Sequence, residues 1–191
     1  ASGGCDALVR RHIGAVPHED AVPEPMRHRV AALWSGAVCR RGIHIVTIHL
    51  RHSEGPSEAN LQILAEVAPF LPALTGPRIL AAAFNLSHET LRSSAWPDTV
   101  DGCVFATAVD FPTCGDNRFD FFVVDKAIAH AVVGVQWLEG AGLKPHFPVR
   151  LLIRGDARIA TNRNLVRPPR VDGPLPAGPQ PCPPCYRSAA P

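Results

Sequence analysis

The strongest periodic signal in the chain is Ile43 to Leu50 (Ile-His-Ile-Val-Thr-Ile-His-Leu), β-branched and apolar on both faces, as a central strand demands. Its last imidazole, His49, shares a face with Ile43, Ile45 and Thr47. The period then changes. Leu61, Leu64, Val67, Ala68 and Leu71 recur at helical spacing, so an amphipathic helix is predicted over Ser57 to Leu71, with Ser57 as N-cap and Glu58 in its first turn. Thr75-Gly76-Pro77 punctuates, and Arg78 to Phe84 returns to strand. A helical turn is expected at Ser87 to Ser94, and a loop from Trp96 to Thr113 with a short strand near Val104 to Ala108. Strands follow at Phe119 to Val124 and at Phe147 to Ile153, linked by a segment that holds Trp137, Gly140 and Gly142. Upstream, Gly3 to Arg10 and His28 to Trp34 read as neighbouring strands, separated by a loop containing Pro17, Pro23 and Pro25.

This order has little strict alternation of strand and helix, so the fold class expected is α+β: two packed sheets flanked by helices. At 191 residues and 46% hydrophobic, the chain supports one domain with a real core. That domain is placed at 1–155, followed by a basic connector at 156–167. Nine of the last 24 residues, 168–191, are proline, a tail with too little apolar side chain to fold, expected to be extended or disordered. It is either a ligand for a proline-binding partner or a solvated terminus. The only methionine is Met26 and the chain starts at Ala1, which is read as a piece of a longer product.

No apolar run reaches the roughly 18 residues that cross a bilayer, so a cytoplasmic or nuclear protein is expected. A net charge of +2 is too small to demand an anionic partner, although Arg150, Arg154, Arg158, Arg163, Arg167 and Arg170 form a basic stretch able to track a nucleic-acid backbone. A solvated arm explains it nearly as well. The six cysteines lack framework spacing and read as reduced thiols; Cys182-Pro-Pro-Cys185 supplies at most half of a structural zinc site.

The candidate chemistry lies where apolar runs meet a polar group that is costly to bury unpaired. Asn85 ends Ile79-Leu80-Ala81-Ala82-Ala83-Phe84. Asp120 stands between Phe119 and Phe121, on the face of Phe122 and Val124, and His146 precedes Phe147-Pro148-Val149. Taken singly, Asn85 also reads as a turn residue and His146 or His49 as an ordinary core or surface histidine. Asp120 needs a partner.

In order and spacing these islands resemble the C-terminal two thirds of the endonuclease/exonuclease/phosphatase family, the DNase I-like metal-dependent phosphodiesterases. Gly3-Gly4 with Ala7-Leu8-Val9-Arg10 is similar to the family's Gly-Gly-x-x-x-Leu-x-Arg strand, and Val46-Thr47-Ile48-His49-Leu50 to its Thr-His-Leu strand. Arg78 to Asn85 stands where the family writes a hydrophobic strand ending Gly-Asp-Phe-Asn. Arg118-Phe119-Asp120-Phe121 is similar to Arg-Ile-Asp-Tyr, with Thr113 placed like the threonine upstream of it. Lys144-Pro145-His146-Phe147-Pro148-Val149 is similar to Ser-Asp-His-x-Pro-Val. The resemblance implies a partial αββα sandwich with the N-terminal third missing.

It also implies a chemistry. Phosphodiester hydrolysis needs a divalent cation, an activated water and donors on the phosphate oxygens. In the family, carboxylates hold magnesium and water, the asparagine and histidines contact phosphate, and the Arg-Ile-Asp-Tyr aspartate orients the last histidine. By resemblance, Asn85, Asp120, His146 and His49 are the catalytic candidates here. Ala83 replaces the water-handling aspartate, Pro145 replaces the aspartate before the histidine, and no metal ligand is assigned. Magnesium, present in intact relatives, is expected to bind weakly or not at all. Glu54, Glu58 and Glu89 are the acids near enough to be weighed as substitutes. The reading is a degenerate or truncated phosphodiesterase, weak or inactive. The alternative is a non-catalytic nucleic-acid or phosphate-binding module, such as a retrotransposon endonuclease remnant.

Overall fold

The computed structural model describes residues 5–10, 13–36, 42–108, 111–138 and 145–154. The connector at 156–167, the proline-rich tail and Lys144 lie outside the described residues. The elements run β1 (Ala15–Pro17), β2 (Val30–Ser35), β3 (Ile43–His49), α1 (Glu58–Val67), β4 (Arg78–Ala83), α2 (His88–Ser93) and α3 (Trp96–Thr99), then β5 (Gly102–Phe105), β6 (Asp120–Asp125), α4 (Lys126–Ala129), β7 (Val132–Trp137) and β8 (Val149–Ile153).

Six strands form one sheet in the order β1-β2-β3-β4-β6-β5, and β7 pairs with β8 in a second. Only β3 and β4 run parallel. Their crossover is α1, as a parallel connection requires. Ser57 caps α1, its side chain accepting from the Asn60 amide. Where α1 lies on the large sheet, Val46, Ile48, Leu80, Phe121 and Val123 meet Ile63, Leu64 and Val67 in one cluster. Phe84 and Phe121 stack there at 4.2 Å, each burial favourable by about 2 kcal/mol. The opposite face of the sheet is covered at one end, where Ile43, Ile79 and Val124 pack with Val132, Leu151 and Ile153 of β7 and β8. At the other end lies the site described below.

The structure corrects several expectations. Residues 5–10 carry no strand, and β1 instead comes from the proline-rich stretch, with Pro17 on an edge strand where a missing N–H is tolerated. The helix ends at Val67, and Leu61 points outward, 49% exposed. Asn60 takes the inward position instead, because its amide is fully used: it accepts from the Arg51 N–H and donates to the carbonyls of Arg51 and Gly55 at 2.7, 3.1 and 2.8 Å. The short strand sits at 102–105 rather than 104–108, after a helical turn started by Trp96-Pro97. Strand β7 lies within the linker expected before Phe147. At the start of β3, Gly42 (φ +77°) has no room for a Cβ, which would fall 2.1 Å from the Trp34 indole nitrogen.

Candidate functional site

Three neighbouring strands end on one row. The parallel register of β3 and β4 sets His49 beside Ala83, and the antiparallel register of β4 and β6 sets Ala83 beside Asp120. Partners in register project from the same face. An imidazole, a methyl and a carboxylate therefore stand side by side on the face away from α1.

His146 is brought to this row by backbone contacts. It forms a bridge with Cys114, and the next amide, Phe147 N–H, donates to the Thr113 carbonyl at 2.7 Å. The Phe147 ring lies 5.0 Å from that of Trp137, at the end of β7. So held, His146 places Nδ1 2.8 Å from Asp120 Oδ2. An ionised carboxylate only accepts, so Nδ1 carries the hydrogen and Nε2 is left for a ligand. Asp120 is fixed in turn by the fully buried Thr113, whose hydroxyl accepts from the Phe119 and Asp120 amides at 2.9 Å each. Asp120 does not need a buried cation; it needs this histidine.

Asn85 closes the strand as a turn residue and also lines a cleft over this row. It adopts the left-handed region (φ +50°) that asparagine tolerates at a strand end, and its Nδ2 donates to the Leu50 carbonyl at 2.8 Å. That bond ties the ends of β3 and β4 together. The second amide hydrogen and Oδ1 remain.

A cleft of about 430 Å³ opens over these groups, walled by His49, Ala83, Asn85 and His146. The same cleft receives Arg29, Arg51, His52 and Glu54. Asp120 stands behind His146 and lines an adjoining depression with Thr47 and Phe122. Thus Asn85, His146, His49 and Asp120 converge. His49 has Nδ1 buried without a partner; burial, followed by the Arg29 charge, holds its pKa below the ordinary 6.5. It is a neutral ring at neutral pH.

Arg29, Arg51 and His52 were not legible in sequence. Arg51 and His52 follow directly on the end of β3, which is a positional signal only after the strand's edge is known. Arg29 reaches the row because the β2–β3 pairing puts it beside His49, whose amide donates to the Arg29 carbonyl. Of the three acids weighed as substitutes, only Glu54 lines this cleft. Glu58 sits in the first turn of α1 and Glu89 pairs with Arg118.

These residues do not fit magnesium. The ion takes hard oxygens in an octahedron, whereas the cleft presents guanidinium groups, imidazoles and an amide. Its one carboxylate, Glu54, accepts from the Ser57 hydroxyl and lies 3.8 Å from Arg51. Among the described residues no three His, Cys, Asp or Glu side chains converge to hold a metal.

No family model and no curated protein matches the chain. Solved structures do. The endonuclease domain of TRAS1, a telomere-specific non-LTR retrotransposon, is 12% identical over 77% of this chain and 71% of its own, with a TM-score of 0.58. A 3'-5' exonuclease from Neisseria meningitidis is 15% identical, covering 73% of this chain and 70% of its own at a TM-score of 0.47. The chain has the α+β fold of the DNase I-like endonuclease/exonuclease/phosphatase proteins. Among the described residues no helix is long and apolar enough to cross a membrane.

Proposed function

We propose that this is a degenerate phosphodiesterase or endonuclease-like domain, one that holds a phosphate group of a nucleic acid in the cleft and hydrolyses it no faster than background. The observation that carries the reading is the methyl of Ala83 at the centre of the row, between His49 and Asp120. A general base contributes ~10²–10⁴-fold and a metal several kcal/mol more. Position 83 has a methyl where the water-handling carboxylate would stand, and Glu54 is the only carboxylate lining the cleft, while Asn85 and the arginines keep donors for phosphate oxygens.

A supercoiled plasmid or an abasic-site oligonucleotide incubated with the protein and magnesium tests this. The expected result is no nicking above the protein-free control. Robust magnesium-dependent nicking would end the proposal.

A second reading concerns origin. The fold likeness to the TRAS1 endonuclease domain supports descent from a retrotransposon endonuclease. The full transcript checks it, since a reverse transcriptase region in the same reading frame is the expected finding.

A further inference from the structure

The cleft holds more cation than carboxylate, and its two guanidinium groups arrive from different directions. Arg29 comes from the turn before β2 and is half-buried, its Nη1 donating to the His49 carbonyl at 3.2 Å. Arg51 comes from the loop after β3. Its backbone is pinned on both sides by the buried Asn60 amide, with bonds of 2.7 and 3.1 Å. Its side chain is half exposed and stands 3.8 Å from Glu54, beyond hydrogen-bond reach. The anchor is rigid, and the fork is held only by this long, exposed ion pair.

A phosphate oxyanion needs positive charge and N–H donors, and a guanidinium supplies both in one planar fork. We propose that Arg29 and Arg51, in place of a divalent cation, hold the phosphate group in this cleft, with the second Asn85 amide hydrogen as a further donor and His146 Nε2 as a donor in the imidazolium form. Capture is then independent of magnesium. The inference rests on the reading that the cleft takes a phosphate, and names what supplies the charge. Glu54 acts as an internal competitor, because its carboxylate faces the same guanidinium that the phosphate must take.

The test measures anisotropy of a labelled oligonucleotide with and without a 5'-phosphate, and calorimetry with inorganic phosphate, on the full chain at low ionic strength. Each runs in EDTA and in magnesium. Binding is expected in EDTA, unchanged by magnesium, weakened about tenfold by Arg51→Ala and strengthened by Glu54→Gln. Arg51→Lys recovers only part of the loss, since an ammonium lacks the fork. The half-exposed Arg51 side chain makes these variants safe for folding, which circular dichroism checks. Dependence on the 5'-phosphate, or competition by inorganic phosphate, identifies a terminal phosphate as the ligand; equal binding of both oligonucleotides identifies the backbone diester. Either supports the arginine assignment. Binding that appears only with magnesium overturns this inference and leaves the phosphate reading standing, as does EDTA-resistant binding that Arg51→Ala and Arg29→Ala leave unchanged. No binding in either buffer overturns both.

Discussion

Strand β6 begins with one aspartate and ends with another, and their surroundings differ in one instructive way. Asp125 is buried, 7% exposed; its Oδ2 accepts from Arg78 Nε and Nη2 at 3.1 and 2.8 Å and its Oδ1 from the Ala127 amide at 2.9 Å. Every one of these bonds ends inside the protein. Asp120 has a side chain 19% exposed and bonded to His146, whose far nitrogen is left for the cleft. The first carboxylate closes a structural circuit, joining β4 to β6 and capping α4. The second is bonded to an imidazole that lines the cleft. Residue type and strand are the same, so the partner decides the role.

Removing each carboxylate separates those roles. The largest effect is expected from Asp125→Ala, which leaves the mostly buried Arg78 guanidinium without its counter-ion and α4 without its cap. Breaking a buried pair from one side costs about 3 kcal/mol. The urea midpoint should drop accordingly while phosphate affinity, measured below the transition, stays as in the unmodified chain. A variant as stable as the parent would show that the ion pair and cap contribute nothing net.

The same contrast explains what the amino-acid pattern could and could not reveal. An acid inside Arg118-Phe119-Asp120-Phe121 stands out because apolar neighbours make it costly, and His49, Asn85 and His146 stand out as polar groups closing apolar runs. Strand β3 and the Ser57 cap are local signals and survive folding. Asn60 and Leu61 exchanged places because hydrogen bonds to residues 51 and 55 outweighed the helical period, and no local pattern carries that information. Strand β7 contains Gly134 and Gln136, which weaken its alternation to that of a loop; its pairing with β8 supplies what propensity lacks. Arg29 and Arg51 are ordinary surface cations by sequence. Only strand register puts them over one cleft. The convergence itself was legible through the order and spacing of the family's motifs, not through any local periodicity.

Acid should act on both ends of β3, which makes it a control for the comparison. His44, at the Asp125 end, donates through Nε2 to the Thr75 carbonyl at 3.2 Å, while its Nδ1 is buried without a partner. His49, at the site end, also has an orphaned Nδ1. Both rings are held below the ordinary 6.5, burial being the first cause in each. The folded state therefore binds fewer protons than the unfolded chain. The stability gained from keeping these rings neutral is full above 6.5 and is lost as pH falls below it, through the folded values. Urea midpoints should fall on acidification through that range, and His44→Gln or His49→Gln should each flatten part of the slope. A midpoint that holds constant or rises there contradicts the assignment of neutral, desolvated rings.

The smallest change in stability, and the most telling one in function, is expected from Asp120→Asn. The amide oxygen can still accept from His146 Nδ1–H and the volume is unchanged, so the loss is about 1 kcal/mol. What disappears is the carboxylate charge that faces the His146 ring at Nδ1, behind the nitrogen turned to the cleft. Affinity for inorganic phosphate or a phosphorylated oligonucleotide should fall about tenfold. Asp125→Asn, the matched change at the other end of β6, should leave affinity untouched while lowering stability more. If the two asparagine variants bind alike, Asp120 is a second structural carboxylate and the imidazole it orients has no part in holding the ligand.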